Sequence, residues 1–324
     1  MAPALQHLRS TEVIQAALAR GAAVVALESS VLAQGLVPPF NREAAERMTR
    51  AVEQAGAVPA ITAVVRGVPS LGLEHDAMER FLARDGVRKL SARDLGLAVA
   101  DEADGATTVA ATLAIAALAG IEVFATGGIG GVHRAAPFDE SADLVELSRS
   151  PVIVVCAGAK SILDLPATLE RLETFGVPVV GYRTDELPGF FTTTTGLPLN
   201  ARANSAERIA RAWLAHRALG RPGAMLVVQA PPTHAALDPD MVEAATDAAL
   251  ALATTRKIRG AAVTPFLLAE VQTRTNGASV QANLALLEAN AALAAEIAVA
   301  LVALRVVYNR TDGSPALEEH TIRN

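Results

Sequence analysis

Cysteine is almost absent from this chain. Cys156 stands alone among 324 residues. A single cysteine cannot close a disulfide within the chain, so a reducing compartment is the expectation and the fold must rest on its core. Aromatic side chains are also scarce, at 3%, and alanine does much of the apolar work in a chain that is 51% hydrophobic. Small side chains let helices and strands approach closely, which predicts dense packing. Basic excess is missing too: the formal net charge is -6. That balance removes the electrostatic footprint of a nucleic-acid binder and points to small-molecule chemistry, with room only for a local basic pocket that could hold a phosphate.

No stretch is read as a secretory signal or a membrane span. Residues 1–21 scatter Gln6, His7, Arg9, Glu12 and Arg20 through an apolar background, so no continuous apolar signal region forms. The longest uncharged stretch, Gly105 to Ile121, carries threonines and falls short of the roughly 18–20 residues a span needs. The alanine-rich stretch from Ala278 to Leu304 includes Glu288 and Glu296 and is expected as a buried or interface helix. A cytoplasmic protein without a membrane partner is the expectation. Linkers rich in glycine, serine or proline are lacking, as are internal repeats. A single domain is therefore expected over residues 1–308, followed by a polar tail over 309–324.

What is present is an alternation of short apolar runs and helical patterns. Strands are expected at Ala22–Leu27, Ala60–Val65, Ile121–Ala125, Val152–Cys156, Val177–Tyr182 and Met225–Gln229. Helices are expected at Thr11–Arg20, Glu43–Ala55, Ala106–Ala119, Leu144–Arg149, Met241–Thr255, Pro265–Thr275 and Val280–Leu304. Continuous apolar strands interleaved with helices predict an α/β fold, layered α/β/α, with a mostly parallel central sheet and helices on both faces. In such sheets ligands bind beyond the carboxyl ends of the strands. Three loops follow apolar runs directly and so mark the place to look: Glu28-Ser29-Ser30, Thr126 through Arg134, and Gly158-Ala159-Lys160-Ser161.

The glycine loop Gly127–Gly131 invites a nucleotide reading, but both templates fail. Counted from Gly128, the dinucleotide pattern calls for glycine where His133 stands; the phosphate-loop pattern ending at Lys160-Ser161 calls for glycine at Val154 and Ala159. Either close helix packing or backbone amides turned toward an anion would explain the loop. Glu28 ends an apolar strand, where a carboxylate is costly to bury alone, so it is either a paired structural residue or a general acid. Lys160 follows Val152 through Ala159, all apolar or small. Desolvation disfavours an ammonium ion, and a neutral amine can attack a carbonyl to form an imine. Ser141-Ala142-Asp143 can cap the helix that follows or offer free amides to a phosphate. Asp139 is a single candidate carboxylate for a hard divalent ion, with Glu140 beside it. Cys156 fits a buried small hydrophobe, and His133 lacks a metal-spaced partner.

Several longer motifs in order carry a resemblance. They are Ala26-Leu27-Glu28-Ser29 with Gln34-Gly35-Leu36 and Asn41; Arg88-Lys89-Leu90-Ser91-Ala92-Arg93-Asp94-Leu95; Gly105 through Thr112; Thr126 through Arg134; Ser141-Ala142-Asp143-Leu144; Ala157 through Asp164; Leu172-Glu173-Thr174; and Thr264-Pro265-Phe266-Leu267-Leu268 with Asn283. From about Glu12 to Leu304 the chain resembles the pseudouridine-5'-phosphate glycosidase family, which includes an indigoidine-cluster member. That family reversibly cleaves the C–C glycosidic bond of pseudouridine 5'-phosphate to uracil and ribose 5-phosphate. The resemblance implies that Lys160 is the nucleophile, forming an imine with C1' of the opened sugar, and that Glu28 donates and accepts the proton. It implies that Asp139 anchors Mn2+ largely through water. Lys89, Val109, Ser141, Ala142 and Asp143 would contact substrate, with Lys89 and the helix start suited to the phosphate. Thr126, His133 and Asn283 would be further pocket residues for sugar or base. A homotrimer is implied as well. A Schiff-base aldolase or lyase on another sugar phosphate, and a non-catalytic ligand-binding relative, are the alternatives. Three segments depart from the family pattern: a shorter Arg134–Phe138 loop, Thr192-Thr193-Thr194-Thr195-Gly196 in place of a basic residue and Ser-Gly, and Gln229-Ala230 in place of an Asn-Pro-like pair.

Overall fold

The run Val24-Val25-Ala26-Leu27-Glu28 is buried at every position, because strands flank it on both sides and helices cover it. The same holds for Ile153–Cys156 and Met225–Val228, where the apolar pattern is equally continuous. In this computed structural model, which describes residues 8–134 and 138–310, these runs form the middle of an 11-stranded sheet. A parallel series runs across it in the order Val58–Val65, Val24–Glu28, Val123–Ala125, Ile153–Cys156, Met225–Val228, Val179–Tyr182 and Arg202–Ala203. Helices pack around it, so the expected α/β architecture with a mostly parallel sheet is what the chain adopts.

The chain first lays down Val24–Glu28, adds Val58–Val65 on one side, and later places Val123–Ala125 on the other. The direction of winding therefore reverses between Val24–Glu28 and Val123–Ala125. A crevice opens at such a reversal, outside the carboxyl ends of the two strands. Glu28 lies at one lip and Thr126 at the other.

Several elements differ from the sequence reading. The helix expected from Ala106 begins instead at Val109, and Gly105–Thr107 is a strand. It pairs antiparallel with Val58–Val65 and parallel with Arg88–Leu90. Three residues are too few for periodicity to separate strand from helix. The strand turned back against Val58–Val65, Val68–Leu71, and the helices His75–Ala83, Leu165–Thr174 and Ala206–Ala218 were not anticipated. The helix expected over Leu144–Arg149 spans Ala142–Leu147, with Ser141 as its cap. The alanine-rich segment is one helix, Ala278–Arg310, of 33 residues and about 50 Å. It therefore takes in the first residues of the expected polar tail; the rest, from residue 311, lies outside the described residues.

By length and composition this helix could cross a membrane, yet it is the core helix of this fold. Ala282, Leu286, Leu287, Ala291, Ala294, Ala295 and Ile297 are buried, and the helix packs on Phe40–Gln54, on Ala206–Ala218 and over the strands Val24–Glu28, Val123–Ala125 and Ile153–Cys156. Its alanines let the backbone lie close to the sheet.

Candidate active site

A cavity of about 330 Å³ opens where the winding reverses. Its wall takes Glu28 from the end of one strand, Gly127, Gly128 and Gly130 from the loop after the next, and Lys160 from the loop after the third. Lys89 comes from the short strand Arg88–Leu90 and Val109 from the start of its helix. His133, Asp139, Ser141, Ala142, Asp143 and Asn283 complete the residues expected from the sequence. Thr126 is the exception: it does not line the cavity but lies behind Glu28.

Glu28 is 6% exposed. Its carboxylate is gripped by two hydroxyls, Ser30 Oγ and Thr126 Oγ1, each donating to a different oxygen. Among the described residues the carboxylate is thus held without a cationic partner, in one orientation facing the cavity. Lys160 Nζ donates to the Gly128 carbonyl at 2.9 Å. The glycine at 128 has a plain reason, since a Cβ there would fall 2.6 Å from the Phe190 ring. An amine and a carboxyl group opening on one cavity can together form an imine with a sugar carbonyl and move the protons that step requires.

The Lys89 ammonium makes no hydrogen bond or ion pair among the described residues. The residue as a whole stays accessible at the pocket mouth, but withdrawal of its ammonium from water pushes its pKa below the ordinary lysine value of 10.5. The Lys160 ammonium acts in the same direction, while Glu28 and Asp143 oppose it. A lone ammonium so placed is a receptor for an anion.

The glycine loop resolves toward close packing. Gly130 N–H donates to Asp143 Oδ2 at 2.8 Å and Ile129 N–H to the Gly158 carbonyl at 3.1 Å. Asp143 Oδ1 accepts from Ala110 N–H at 2.9 Å. Asp143 therefore caps the helix Val109–Ala119 from outside and ties it to the loop. Ser141 Oγ accepts from Asp143 N–H at 3.2 Å and leaves no room for a Cβ at Gly130. The expected substrate segment is thus also a structural clasp.

Among the described residues no three His, Cys, Asp or Glu side chains gather as a metal cluster. Among the described residues Asp139 has no side-chain partner, while Glu140 is engaged by Arg171 at 2.9 Å. A hard divalent ion that keeps most of its waters needs one free carboxylate, and Asp139 fits that requirement where Glu140 does not. Cys156 is fully buried, and burial pushes its thiol up to about 12, so it behaves as the small hydrophobe expected.

The sequence reading missed the polar groups that act through backbone. Ser29, Thr62, Thr107 and Thr112 form a buried hydroxyl cluster joining the end of Val24–Glu28 to the turn before Val109. Asn290, on the long helix, donates to the Thr126 carbonyl at 2.8 Å. The departure at Gln229 is absorbed here, since its Nε2 donates to Asn290 Oδ1 at 2.9 Å. The Thr192–Gly196 departure folds on itself, with Thr192 Oγ1 donating to the Thr194 carbonyl and Thr195 Oγ1 to the Leu187 carbonyl. It lines a neighbouring cavity with Arg134 and Ser161, not the one holding Lys160.

Comparison with known proteins gives a consistent result. The family model described as Indigoidine synthase A like protein matches residues 13–300. A pseudouridine-5'-phosphate glycosidase of Gemmatimonas aurantiaca is 71% identical over 302 residues, 93% of this chain and 99% of the relative. One from Herpetosiphon aurantiacus is 56% identical, covering 89% of this chain and 96% of the relative. Among solved structures, the prealnumycin C-glycosynthase AlnA in complex with ribulose 5-phosphate superposes with a TM-score of 0.87 at 41% identity, covering 93% of this chain and 99% of that one. An indigoidine synthase A-like protein from Thermotoga maritima superposes with a TM-score of 0.83 at 34% identity, covering 91% of this chain and 96% of that one.

Proposed function

The chain belongs to the Indigoidine synthase A like family, and on that premise we propose that it is a pseudouridine-5'-phosphate glycosidase working through an imine on Lys160. The observation that carries the reading is the meeting of Lys160, Glu28 and Lys89 on one cavity at the carboxyl ends of the strands. The names of the relatives and the ribulose 5-phosphate held by AlnA support a sugar phosphate as its occupant.

The substrate sets the chemical problem. Its base is joined through carbon, so no ring nitrogen leaves with the bonding pair, and simple oxocarbenium hydrolysis is a poor route. Glu28 protonates the ring oxygen as the C1'–O4' bond breaks, and the Lys160 amine adds to C1'. A proton returned through Glu28 to C5 of the base prepares the break. The C1'–C5 pair then re-forms the C5=C6 bond, the lysine nitrogen supplies the electrons that make the C1'=N iminium, and uracil departs. Water adds to C1' and releases ribose 5-phosphate and the free amine. The steps run backward equally well, which makes the reaction reversible.

The phosphate sits against the Lys89 ammonium, beside the start of Val109–Ala119, where Asp143 already takes the Ala110 N–H. Asp139 would be the residue that holds a divalent ion such as Mn2+. Such an ion supplies positive charge beside the substrate. The family resemblance further supports a homotrimer in the cytoplasm, with no nucleic-acid or membrane partner. Borohydride added during turnover of pseudouridine 5'-phosphate should fix a ribosyl adduct on Lys160, located by peptide mass spectrometry. Product formation with no adduct at that residue overturns the imine.

A further inference from the structure

Three neighbouring parallel strands, Val123–Ala125, Ile153–Cys156 and Met225–Val228, are tied at their carboxyl ends to the long helix by one side chain. Asn290 is 1% exposed. Its Nδ2 donates to the Thr126 carbonyl at 2.8 Å and the Gly127 carbonyl at 3.4 Å. Its Oδ1 accepts from Gln229 Nε2 at 2.9 Å, and Gln229 N–H donates to the Cys156 carbonyl at 3.0 Å. A carboxamide carries donors at one end and an acceptor at the other. The Gln229 bond therefore decides which end of Asn290 meets the Thr126 turn.

That turn is also held by Thr126 N–H on the Val155 carbonyl at 3.0 Å and by Ala157 N–H on the Gly127 carbonyl at 2.9 Å. Those two bonds belong to the sheet edge. Asn290 adds a hold from the helix layer. Thr126 then spends its Oγ1 on Glu28. A continuous relay runs from Gln229 through Asn290 and Thr126 to the carboxyl group in the cavity, yet neither Asn290 nor Gln229 lines that cavity. Packing alone does not call for an amide here, since a leucine of similar size would suit a helix face otherwise built of alanine and leucine.

We propose that Asn290, oriented by Gln229, is a positioning residue that fixes the Thr126 turn and so holds Glu28 in one orientation for proton transfer. The proposal rests on the glycosidase reading above. It assigns Asn290 an effect on the chemical step and little on substrate affinity, because the relay ends at Glu28 and bypasses Lys89 and the helix start at Val109.

The test is steady-state kinetics with pseudouridine 5'-phosphate on the full chain. Asn290→Leu should lower kcat about 30- to 100-fold, the scale of a small misplacement of a catalytic group, with KM held within about 3-fold. Thr126→Val should lower kcat comparably, and the double variant should be no worse than the poorer single one, because both cut the same relay. A kcat within about 2-fold of wild type for Asn290→Leu, or losses that multiply in the double variant, overturns the positioning role. Should Asn290→Leu fail to fold, Gln229→Leu decides. It should lower kcat about 3- to 10-fold without a matching change in KM, and a wild-type kcat there overturns the role. No turnover by the wild-type chain overturns the glycosidase reading and the positioning role together. Wild-type turnover with unaffected variants overturns the positioning role alone.

Discussion

Replacing Asp143 by asparagine removes one acceptor from a pair of buried backbone bonds. The carboxylate accepts from Ala110 N–H at 2.9 Å and Gly130 N–H at 2.8 Å, in a residue 6% exposed. Asparagine has one acceptor oxygen, so one of the two amides meets an NH2 group instead. A hydrogen bond to a charged group is worth about 1.5–3 kcal/mol, and a stranded buried donor costs about 1–3 kcal/mol. These costs overlap, and the surviving bond weakens as the charge is lost, which sets the destabilisation at about 3 kcal/mol. Unfolding entropy of about 2.1 cal/mol/K per residue over 324 residues gives about 0.7 kcal/mol/K, so the Tm should fall by about 4–5 °C. Circular dichroism melts at fixed protein concentration measure this. The same substitution frees the start of Val109–Ala119 from the glycine loop, and both line the cavity, so KM should rise as well. A Tm within about 1 °C of wild type with an unchanged KM would refute the clasp.

Glu28→Gln keeps the shape of the side chain and removes its proton traffic; turnover should fall by about 100-fold or more while binding measured by calorimetry persists, and wild-type turnover would remove Glu28 from the mechanism. Lys89 must be an ammonium to hold a phosphate, and burial, then Lys160, lower its pKa. Its contribution is therefore present at low pH and lost as pH rises through a value below 10.5, so KM should climb on the alkaline side earlier than for an ordinary lysine. Lys89→Arg, which stays charged, should move that rise to higher pH; an unmoved profile assigns it elsewhere. Dialysis against a chelator should inactivate the enzyme and Mn2+ should restore it, with Asp139→Ala insensitive to the metal; full activity after chelation removes the ion from the reaction.

Much of the site was legible because buried parallel strands write themselves as unbroken apolar runs. Val24-Val25-Ala26-Leu27 and Ile153-Val154-Val155-Cys156 show where strands end, and the two groups proposed for the chemistry, Glu28 and Lys160, lie at or just past those ends. Gly105–Thr107 was not legible, because three residues hold no period and its strand character comes from partners far along the chain, Val58–Val65 and Arg88–Leu90. Thr126 was placed correctly in sequence but one layer out in space. Its side chain turns toward Glu28, and only the pairing of Val123–Ala125 beside Val24–Glu28 decides that. Asn290 gave no local signal at all, since a buried asparagine in an alanine-rich helix looks like any helical polar residue until the loop above it is known. The Gly127–Gly131 loop suited either packing or an anion, and two of its amides, those of Gly130 and Ile129, turned out to be spent on Asp143 and Gly158.

The helix Ala278–Arg310 also fixes the order in which the enzyme can come alive during synthesis. Glu28 emerges early, and Asn283 and Asn290 about 250 residues later. At about 5–20 residues per second that gap lasts roughly 10–50 s. Through that interval the nascent sheet has one face without its core helix, and the Thr126 turn lacks its clamp. Glu28 and Lys160 are both already translated by then. The helix Ala278–Arg310, translated after every strand of the described sheet, covers that sheet and closes one wall of the cavity when it docks. A chain that stalls before residue 278 therefore exposes an apolar face for chaperones and proteases to recognise.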